Sequence, residues 1–493
     1  MEVVMDQYRK EIDRIDAEIA RLLDERLDVA AEIGKYKQER GLPVLDAARE
    51  KKKIDSFAGL FEEDRRSYVT GVIEAIMEGS RNYQQDRRFE YALLGRGLRH
   101  SLSPQAHEAL GGYAYGLIDL EPDDLDRFFS AFPLKGASVT MPYKRSVMKY
   151  LDEISETAKA VNSVNTIVKR TDGTLAGYNT DYDGFKYTVE RSGVDIKGKK
   201  CLIFGSGGVS GTVRKVLEDC GVGEIRIISR KGPDNYENLN KHFDAQILVN
   251  ATPVGMYPNN GVSPVHPEQF EACCGVFDLI YNPLRSELIL EAERLGIPAA
   301  SGLEMLVAQA AYAGLLFTGE DHTDSIDAVC EMIRREQENI VLIGMPGSGK
   351  TVIGRKLAEL TGKQFRDSDE RLQETYGKTA EEIILSEGED VFRTYETAII
   401  ETLAKEGGQV IATGGGVVER EENRNLLRSN GRIVYIRRDL NKLPAGGRPI
   451  SRAEGIQNIY ERRRERYEGW QDLTVENHEI NETADEIREK LGY

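Results

Sequence analysis

The stretch from Ile340 to Thr351 constrains the fold of this chain more than any other. Ile340 to Ile343 is a short apolar run, typical of a buried strand, and the following residues spell G-x-x-x-x-G-K-T before an amphipathic helix begins. Glycines allow backbone N–H groups to curl around a phosphate chain, and the helix N-terminus adds its dipole. The sequence therefore predicts a nucleotide-binding phosphate loop made of Gly344, Gly347, Ser348, Gly349 and Lys350, with the Thr351 hydroxyl offered to Mg²⁺.

Length and composition bound what lies around that loop. Because such a loop opens its domain, a nucleotide-binding domain should begin near Glu338, and the whole chain of 493 residues accommodates about three domains. The net charge of −17 and the pI near 5.1 argue against a nucleic-acid or membrane-surface partner. The five cysteines show no C-x-x-C spacing, and no apolar run is long enough to span a bilayer. With no signal peptide in view either, we predict a cytoplasmic protein with reduced thiols.

The first 85 residues carry the pattern of a helical bundle. No proline interrupts Tyr8 to Arg40, where apolar residues recur at helical spacing for roughly nine turns. That length indicates a bundle or a coiled coil rather than an ordinary globular helix. Pro43 ends the helix, Asp46 can cap a second one, and Arg65 to Gln85 predicts a third. The apolar positions of the long helix are Ile12, Ile15, Ile19, Leu22, Val29 and Ile33.

Three cations share the apolar stripe of the long helix. Arg26 occupies its middle, where an apolar residue is due, and Arg9 and Lys37 continue the same spacing at either end. A cation that faces a core is costly unless an anion meets it. The two terminal cations could instead reach solvent from the helix ends, but Arg26 lies in mid-helix. The pattern favours an anion-binding pocket inside a helical bundle.

Over essentially its whole length this segment resembles the all-helical chorismate mutases. In that family the arginines hold the two carboxylates of chorismate, the equivalents of Lys37 and Gln84 hydrogen-bond the ether oxygen, and that of Glu50 binds the ring hydroxyl. Such a pericyclic rearrangement needs a held conformation and donors where negative charge develops, and no nucleophile. The resemblance implies a mutase site made of Arg9, Arg26, Lys37, Asp46, Arg49, Glu50, Ser80 and Gln84.

After Asn82 to Arg88, which we predict to be a polar linker, strand and helix patterns alternate to about Gly319. This alternation is typical of an α/β unit with a parallel sheet. Lys200 to Phe204 is a buried strand that runs into a glycine turn and a helix, although such a turn on its own can equally be structural. The glycines of the turn are Gly205, Gly207 and Gly208.

The end of the next strand distinguishes between two dinucleotides. Glu224 to Ile228 is followed by Ser229, Arg230 and Lys231, where a binder of NAD would tend to place an acidic residue for the ribose hydroxyls. Cations there suit the extra phosphate of NADP. The glycine turn and the cationic run together predict an NADP-binding lobe.

Several polar clusters in this region are each most often a turn or a helix cap. Taken together with Asn250 to Pro253 and Val307 to Ala311, they resemble the shikimate dehydrogenases over the whole stretch. The resemblance implies that Lys144 and Asp181 are the acid–base pair as hydride passes between NADPH and the C3 carbonyl carbon, since a lysine ammonium held by a carboxylate is a sensible proton donor. The family's longer basic cofactor motif is abbreviated here. The residues implied to hold the substrate are Ser101, Ser103, Thr140, Asn165, Asp181 and Gln309, with Tyr281 nearby.

The residues after the phosphate loop resemble the shikimate kinases throughout. An aspartate after a strand commonly serves Mg²⁺ through water, and a second one can orient an attacking hydroxyl. The resemblance implies that Asp367 supports Mg²⁺, that Asp369 acts in catalysis and that Arg448 lies on the lid over the phosphates. The lid segment, 437–449, is shorter than the family's. Two of the three cations Arg462 to Arg464 fit a solvated helix face. The residues implied to hold shikimate are Asp369, Arg393, Gly414, Gly415, Gly416 and Arg463.

These patterns predict a multidomain enzyme of aromatic biosynthesis. An all-α mutase bundle occupies residues 1–85, a two-lobed α/β dehydrogenase 89–325, and a P-loop α/β kinase 338–493. The dehydrogenase's substrate lobe spans about 89–183 and 300–325, and its Rossmann NADP lobe about 184–299. The expected cofactors are NADPH, ATP and Mg²⁺, and the expected partners are the small-molecule substrates. We also predict a homodimer formed through the long helix, with no nucleic acid and no membrane as partner.

Two other interpretations compete with this one. Residues 1–85 could be only a dimerising helical module joined to a bifunctional enzyme, but a pure coiled coil would place apolar residues where the stripe carries cations. The chain could also bind these metabolites as a nucleotide-gated regulator without turnover. The presence of Lys144, Asp181, Lys350 and Asp369 argues against that second alternative.

Overall fold

The computed structural model of the chain falls into two compact units. The first comprises Met1–Asn179 and Ala313–Asp321, and the second comprises Thr180–Tyr312 and His322–Tyr493. Two of the predicted site residues, Asp46 and Arg448, lie outside the described part of the chain. The described residues are 2–38, 47–86, 89–98, 101–443 and 455–493.

Three helices open the first unit, as the sequence predicts: α1 (Glu2–Gln38), α2 (Ala47–Ala58) and α3 (Glu63–Asp86). Both α1 and α2 pack on α3. Ion pairs one turn apart, such as Lys10 to Asp6 at 2.9 Å, support the long helix α1 on its exposed side. Among the described residues of the bundle, Ile73 and Met77 are buried, whereas Ile12, Ile19 and Leu22 of α1 are exposed.

The predicted linker from Asn82 to Arg88 is wrong over most of its length, because α3 continues to Asp86. The run N-Y-Q-Q contains neither proline nor glycine, so nothing in it ends a helix. Polarity alone does not distinguish a linker from the last turn of a helix.

A mixed sheet of six strands forms the rest of the first unit. In the order β2-β1-β3-β5-β6-β4, strands β1, β2 and β3 are parallel, and β5 is antiparallel to β3 and β6. The sequence predicted a parallel sheet, and this prediction is wrong for β5, which is antiparallel to both of its neighbours. The turn at residues 170–174 between β5 and β6 is too short for the crossover that a parallel pair requires. The elements are β1 (Tyr91–Gly95), α4 (Ser103–Gly111), β2 (Tyr115–Asp119), α5 (Leu125–Ala131), β3 (Gly136–Val139), β4 (Glu153–Ile154), α6 (Glu156–Val161), β5 (Thr166–Lys169) and β6 (Leu175–Tyr178).

The second unit begins with a five-stranded parallel sheet of Rossmann type. Its strand order is β11-β10-β9-β7-β8, so the chain moves outward from β7 in one direction and then in the other. Ligands of such sheets bind outside the carboxyl ends of the strands where the order reverses, which here is between β7 and β9. The elements are α7 (Thr180–Arg191), β7 (Lys200–Phe204), α8 (Ser210–Asp219), β8 (Glu224–Ile228), β9 (Ile247–Asn250), β10 (Gly275–Asp278), α9 (Glu287–Arg294), β11 (Ala299–Ala300) and α10 (Gly302–Thr318).

A second parallel sheet, in the order β13-β14-β12-β15-β16, completes this unit. Its central strand β12 is buried on both faces: Ile340 and Leu342 lie in one core layer, and Val341 and Ile343 lie in the other. This explains why the strand is a continuous apolar run instead of an alternating one. The elements are α11 (Ile326–Gln337), β12 (Asn339–Ile343), α12 (Lys350–Thr361), β13 (Gln364–Asp367), α13 (Ser368–Tyr376), α14 (Ala380–Glu387), α15 (Glu389–Lys405), β14 (Gln409–Ala412), α16 (Glu422–Asn430), β15 (Gly431–Arg437), α17 (Ile456–Trp470), β16 (Leu473–Glu476) and α18 (Ile480–Leu491).

No helix in the described ranges has both the length and the apolar character needed to cross a membrane.

Candidate active sites

The phosphate loop joins β12 to α12 at the carboxyl edge of its sheet. Gly344, Gly347 and Gly349 have φ angles of +146°, +83° and +102°, a region that favours glycine. A Cβ atom on Gly344 would also lie 2.5 Å from the Ile436 carbonyl oxygen, so β15 leaves room only for glycine. Lys350 Nζ donates to the carbonyl oxygens of Gly344 and Met345 at 2.8 and 3.0 Å, which places the ammonium over the loop.

The two residues predicted to serve Mg²⁺ meet beside this loop. Thr351 Oγ1 donates to Asp367 Oδ2 at 2.8 Å, and oxygen ligands of this kind suit the metal. Within the described ranges, no group of three or more His, Cys, Asp or Glu side chains could hold a metal ion. A hydroxyl and a carboxylate at this position suit Mg²⁺, which usually takes only one or two protein ligands and completes its shell with phosphate and water.

One cavity of about 590 Å³ brings most of the predicted kinase residues together. Its size and its mixture of cations, carboxylates and bare backbone suit a small polar ligand next to a phosphate chain. Ser348 lies in the loop but does not line the cavity, and its side chain is buried. The predicted residues that line the cavity are Gly347, Gly349, Lys350, Thr351, Asp367, Asp369, Arg393, Gly414, Gly415, Gly416 and Arg463.

Gly414 to Gly416 provide a backbone without side chains at the centre of this cavity. A Cβ on Gly414 would lie 2.9 Å from Asp369 Oδ1, and one on Gly416 would lie 2.2 Å from an Arg393 nitrogen. Arg463 donates to the Gly415 carbonyl oxygen at 3.1 Å. A side chain at Gly414 or Gly416 would therefore displace Asp369 or Arg393 from this segment.

The structure adds Glu396, to which the sequence analysis assigned no role. It lies three residues after Arg393 on α15 and pairs with its guanidinium at 2.7 Å, and both side chains are buried. Its second oxygen, Oε1, lies beside Gly414 and has no hydrogen-bond partner among the described residues. Burial raises the pKa of the Glu396 carboxyl, although Arg393 opposes that shift. The spacing of arginine and glutamate in F-R-T-Y-E was the available sequence signal.

A second residue without a predicted role, Arg438, contacts the phosphate loop itself. Its guanidinium donates to the Gly347 carbonyl oxygen at 3.0 Å and lines the same cavity. It follows β15 directly, so its position depends on the pairing of β15 with β12, which no local sequence pattern reports.

The glycine turn of the Rossmann sheet lies between β7 and α8. Gly205 has a φ of +108°, and a Cβ there would lie 2.9 Å from the Ala251 carbonyl oxygen. Gly207 and Gly208 face open space, because a Cβ on either would have no neighbouring atom within 4 Å. Gly205 is thus required by the fold, whereas the space over Gly207 and Gly208 fits a dinucleotide phosphate.

The cationic run follows β8 at the same edge of that sheet. Ser229 is partly buried, and Arg230 and Lys231 are exposed. The backbone N–H of Ser229 donates to the Asp234 carbonyl oxygen at 3.2 Å, which closes the turn. Because β8 lies next to β7, these cations lie at the strand end adjacent to the glycine turn.

A buried network joins the next two strands of the sheet. Asn250, at the end of β9, donates to Asp278 Oδ1 at 3.0 Å, and Ser286 Oγ donates to Asp278 Oδ2 at 2.5 Å. Burial raises the pKa of Asp278 to about 6 against these hydrogen bonds. Asn250 belongs to a cluster that the sequence predicts to be functional, whereas its partner Asp278, three residues before Tyr281, has no such signal.

Three residues predicted to bind the substrate of the dehydrogenase lie in this second unit. Asp181 is buried in the first turn of α7, where the helix dipole favours a carboxylate. A Cβ on Gly184, one turn later on the same face, would lie 3.0 Å from Gln309, so α10 brings Gln309 close to that face. Tyr281 is partly buried in the loop that follows β10.

The first unit holds the other residues predicted to bind the dehydrogenase substrate, together with Lys144. Ser101 Oγ donates to Ser103 Oγ at 3.1 Å at the start of α4. Thr140 follows β3, and its N–H donates to the Leu94 carbonyl oxygen at 2.9 Å. The N–H of Val164, next to Asn165, donates to the Lys144 carbonyl oxygen at 2.9 Å. The strand ends thus gather Thr140, Lys144 and Asn165, while the pairing of Lys144 with Asp181 stays a prediction.

In the helical bundle the structure brings together Arg26 and Ser80. The guanidinium of Arg26 donates to Ser80 Oγ and to the Ile76 carbonyl oxygen of α3, the latter at 3.3 Å. Burial lowers the pKa of Arg26, and among the described residues its guanidinium donates to these two neutral oxygens. Of the remaining predicted residues, Arg9 and Arg49 are exposed, Lys37 and Glu50 are partly buried, and the side chain of Gln84 lies outside the described residues.

Comparison with known proteins covers all three regions. The chain matches the family model of chorismate mutase type II over residues 8–85, that of the shikimate dehydrogenase substrate binding domain over residues 93–167, and that of shikimate kinase over residues 346–492. It is 36% identical over 274 residues to a shikimate dehydrogenase (NADP(+)) of Caldanaerobacter subterraneus, covering 50% of this chain and 96% of that protein.

Two solved structures are similar to the chain over about half of its length. Shikimate dehydrogenase 1 from Peptoclostridium difficile is 34% identical, with a TM-score of 0.46, and the match covers 49% of this chain and 97% of that one. A chorismate mutase/shikimate 5-dehydrogenase fusion protein from Clostridium acetobutylicum is 33% identical, with a TM-score of 0.46 and coverage of 49% and 96%.

Proposed function

Because the chain belongs to the shikimate dehydrogenase family and carries chorismate mutase and shikimate kinase domains beside it, we propose which residues perform the chemistry of each domain. The chain is a multifunctional enzyme of aromatic amino acid biosynthesis. It rearranges chorismate to prephenate, reduces 3-dehydroshikimate to shikimate with NADPH, and phosphorylates shikimate with ATP and Mg²⁺. The product of the second reaction is the substrate of the third.

The kinase assignment rests on one observation above all. The cavity of about 590 Å³ joins the phosphate loop to Asp369, Arg393 and Arg463 across the bare backbone of Gly414 to Gly416. In our proposal the two guanidinium groups hold the shikimate carboxylate, and Asp369 accepts the proton of the attacking hydroxyl. Lys350 stabilises the negative charge that develops on the transferred phosphoryl group, which ATP supplies.

For the dehydrogenase we propose Lys144 and Asp181 as the proton-transfer pair. Lys144 holds the proton that the C3 oxygen receives, Asp181 orients the ammonium group, and NADPH supplies the hydride. Ser101, Ser103 and Asn165 hold the substrate hydroxyls and carboxylate, while Arg230 and Lys231 hold the extra phosphate of NADP. The gathering of Thr140, Lys144 and Asn165 at adjoining strand ends supports this assignment.

For the mutase we propose a site shared by two copies of the chain. Five of the six apolar side chains of the α1 stripe are exposed, from 41% at Ile15 to 61% at Val29, and such a stripe suits a helix partner. A two-fold dimer would cover that stripe with the same helix of the second copy. Arg9 of one copy would then complete the pocket that contains Arg26 and Lys37 of the other.

The same stripe also favours the competing function, a dimerising helical module without catalysis. The two alternatives differ in whether they require Arg26. The mutase site needs its charge, whereas a dimer interface without catalysis would not. We further propose the domain boundaries 1–85, 89–325 and 338–493, and a cytoplasmic location, which the five free thiols of the chain suit.

Three single substitutions in the full chain test the whole assignment. Lys350→Met, Lys144→Met and Arg26→Ala should each lower one activity at least about 100-fold and leave the other two unchanged. Lys356→Met, one and a half turns further along α12 and paired with the exposed Glu359, is the control for Lys350. A chain without mutase activity before any substitution would favour the dimerising module instead.

A further inference from the structure

Two loops follow β9 and β10 at the carboxyl edge of the Rossmann sheet, where the ligands of such sheets bind. The first runs from Ala251 to Pro258 and the second from Leu279 to Ser286. They are tied to each other, since the Tyr257 N–H donates to the Asn282 carbonyl oxygen at 3.2 Å. The second loop carries Tyr281, next to Asn282, so the position of Tyr281 depends on how both loops are held.

A short segment of the kinase domain supplies hydrogen-bond partners to both loops. This segment is Ser429 to Gly431, where α16 ends and β15 begins. The N–H of Leu284 donates to Asn430 Oδ1 at 2.8 Å, and the N–H of Arg285 donates to the Ser429 carbonyl oxygen at 2.9 Å. The Arg285 guanidinium donates to the Gly431 carbonyl oxygen at 2.6 Å. The second loop is therefore bound to the kinase segment through both backbone and side chain.

The first loop reaches the same segment through the Tyr257 hydroxyl. Asn430 Nδ2 donates to that hydroxyl at 3.2 Å, and the hydroxyl donates to the Ala404 carbonyl oxygen at 3.0 Å. Asn430 thus contacts one loop with its amide oxygen and the other with its amide nitrogen. It bridges the two loops as well as binding each.

These contacts are buried. Asn430 and Ser429 are each 4% exposed, and burial raises the pKa of Tyr257 to about 12. A buried polar group that loses its partner pays the full cost of desolvation, so this junction holds one arrangement of the loops firmly. A domain that was merely tethered to its neighbour would need no such bridge.

We propose that Asn430 of the kinase domain is a positioning residue for the dehydrogenase, because it fixes the two loops that place Tyr281 against the substrate. The proposal rests on the proposed function in the role of Tyr281. It makes the kinase domain a structural part of the dehydrogenase, and it predicts that a change in one domain alters substrate binding in the other.

The test compares Asn430→Ala, Tyr257→Phe and the double variant in the full chain. Each single variant should raise the dehydrogenase KM for shikimate about tenfold and change kcat less than about twofold, because the loops lose order while the acid–base pair is untouched. The double variant should add little to either single one, since both remove the same bridge. Asn425→Ala is the control, because Asn425 crosses the same junction by a hydrogen bond to Glu287 of α9, outside both loops.

The other possible results would contradict either the role of Asn430 or the proposed function. Unchanged dehydrogenase constants in a folded Asn430→Ala protein would overturn the proposal, and so would an equal fall in kinase activity, which would show a general loss of structure. Tyr257→Phe preserves the ring and so serves if Asn430→Ala does not fold. A wild-type chain without dehydrogenase activity would instead overturn the proposed function, and that result is distinct from an unresponsive variant of an active enzyme.

Discussion

Around Gly414 the kinase cavity holds two carboxylates and a guanidinium in contact with a glycine backbone. Asp369 and Glu396 both lie 2.9 Å from where a Gly414 Cβ would be, and Glu396 is paired with Arg393 at 2.7 Å. The backbone N–H of Asp369 donates to Asp367 Oδ1 at 2.9 Å, so the capping of α13 fixes its position. Asp367 thus caps the helix and fixes the backbone of Asp369, two residues further along the chain.

Replacing Asp369 by Asn should separate catalysis from nucleotide binding. The amide keeps the shape of the side chain but cannot accept the proton of the attacking hydroxyl, so kcat for shikimate phosphorylation should fall at least about 100-fold. Steady-state kinetics with ATP titrations measure both effects, and the KM for ATP should stay within about twofold. Glu374→Gln, on the same helix but paired with the exposed Arg371, is the control. A loss of ATP binding would place Asp369 with the metal ligands.

His107 should make the first unit sensitive to acid. Its ring stacks on Tyr115 at 3.8 Å, its Nδ1 lies 2.7 Å from the Tyr113 hydroxyl, and burial lowers its pKa to about 3. Because the unfolded chain binds this proton at a pKa of about 6.5, the stability present above that pH is lost as the pH falls towards 3. The slope should approach about 1.4 kcal/mol per pH unit within that window.

Amide exchange of β2 at a series of pH values measures this effect. A His107→Gln variant should be less stable at neutral pH but should lose less stability between pH 6.5 and 4 than the wild type, since one titrating group is absent. The exposed His266, replaced in the same way, should leave the pH dependence unchanged. Equal slopes for wild type and His107→Gln would show that His107 is protonated in the fold.

At the scale of elements, the glycine turn of the Rossmann sheet contains two kinds of glycine: Gly205 is required by the fold, and Gly207 faces the space proposed for the cofactor. Gly205→Ala should lower the free energy of unfolding by about 1–3 kcal/mol, because its φ is positive and its Cβ would collide with Ala251. Gly207→Ala should leave stability unchanged and raise the KM for NADPH, because its Cβ points into open space where phosphate would lie. Thermal unfolding and NADPH titration of both variants check this. An unchanged KM for the Gly207 variant would remove this turn from the cofactor site.

Helix α1 offers a test by complementation. Arg9→Ala and Arg26→Ala chains should each lack mutase activity alone. After mixing and subunit exchange, a heterodimer would have one doubly damaged site and one intact site, so about a quarter of all sites should recover. Mass spectrometry of differently labelled chains verifies the exchange. No recovery despite proven exchange would place both arginines in the pocket of one chain.

The sequence was sufficient for features that depend on local pattern and insufficient for those set by packing. The run from Ile340 to Thr351 predicted a strand, a loop and a helix, and all three were confirmed. Polarity failed at Asn82 to Asp86, because a helix end and a linker have similar compositions. Glu396 follows Arg393 by three residues, a spacing that the sequence shows, but its burial beside Gly414 depends on tertiary packing. Arg438 acquires its place from the pairing of β15 with β12, which no local sequence pattern reports. The bridge formed by Asn430 likewise depends on a contact between residues about 146 positions apart.

At the scale of the whole molecule, α10 contributes to both units: Gly302 to Tyr312 belong to the second, and Ala313 to Thr318 belong to the first. In the first unit Phe317 stacks on Tyr91 with ring centroids 4.9 Å apart. The Tyr91 hydroxyl also donates to the Phe317 carbonyl oxygen at 3.2 Å. A residue far along the chain thus completes the core around the first strand of the sheet.

Phe317→Ala should therefore destabilise the first unit. This effect is expected although residues 180–312, which belong to the second unit, lie between that sheet and Phe317 in the sequence. Phe317 is partly buried, so we expect about 2–3 kcal/mol, somewhat below the cost of removing a fully buried phenylalanine. Faster amide exchange in β1, by roughly 30-fold or more, would report the loss. Thr318→Ala on the same turn should have little effect. Unchanged exchange in the Phe317 variant would mean that the last turn of α10 is dispensable to the first unit.

Because α10 is divided between the two units, the order of translation limits when the first unit can fold. The first unit cannot be assembled until residue 321 has left the ribosome, which is 142 residues after residue 179. At ~5–20 residues per second the delay is roughly 7–28 s, during which most of the second unit's Rossmann sheet emerges. The substrate lobe cannot complete its fold before that sheet has been synthesised. The two lobes of the dehydrogenase are therefore expected to fold at nearly the same time, while the kinase domain is still being translated.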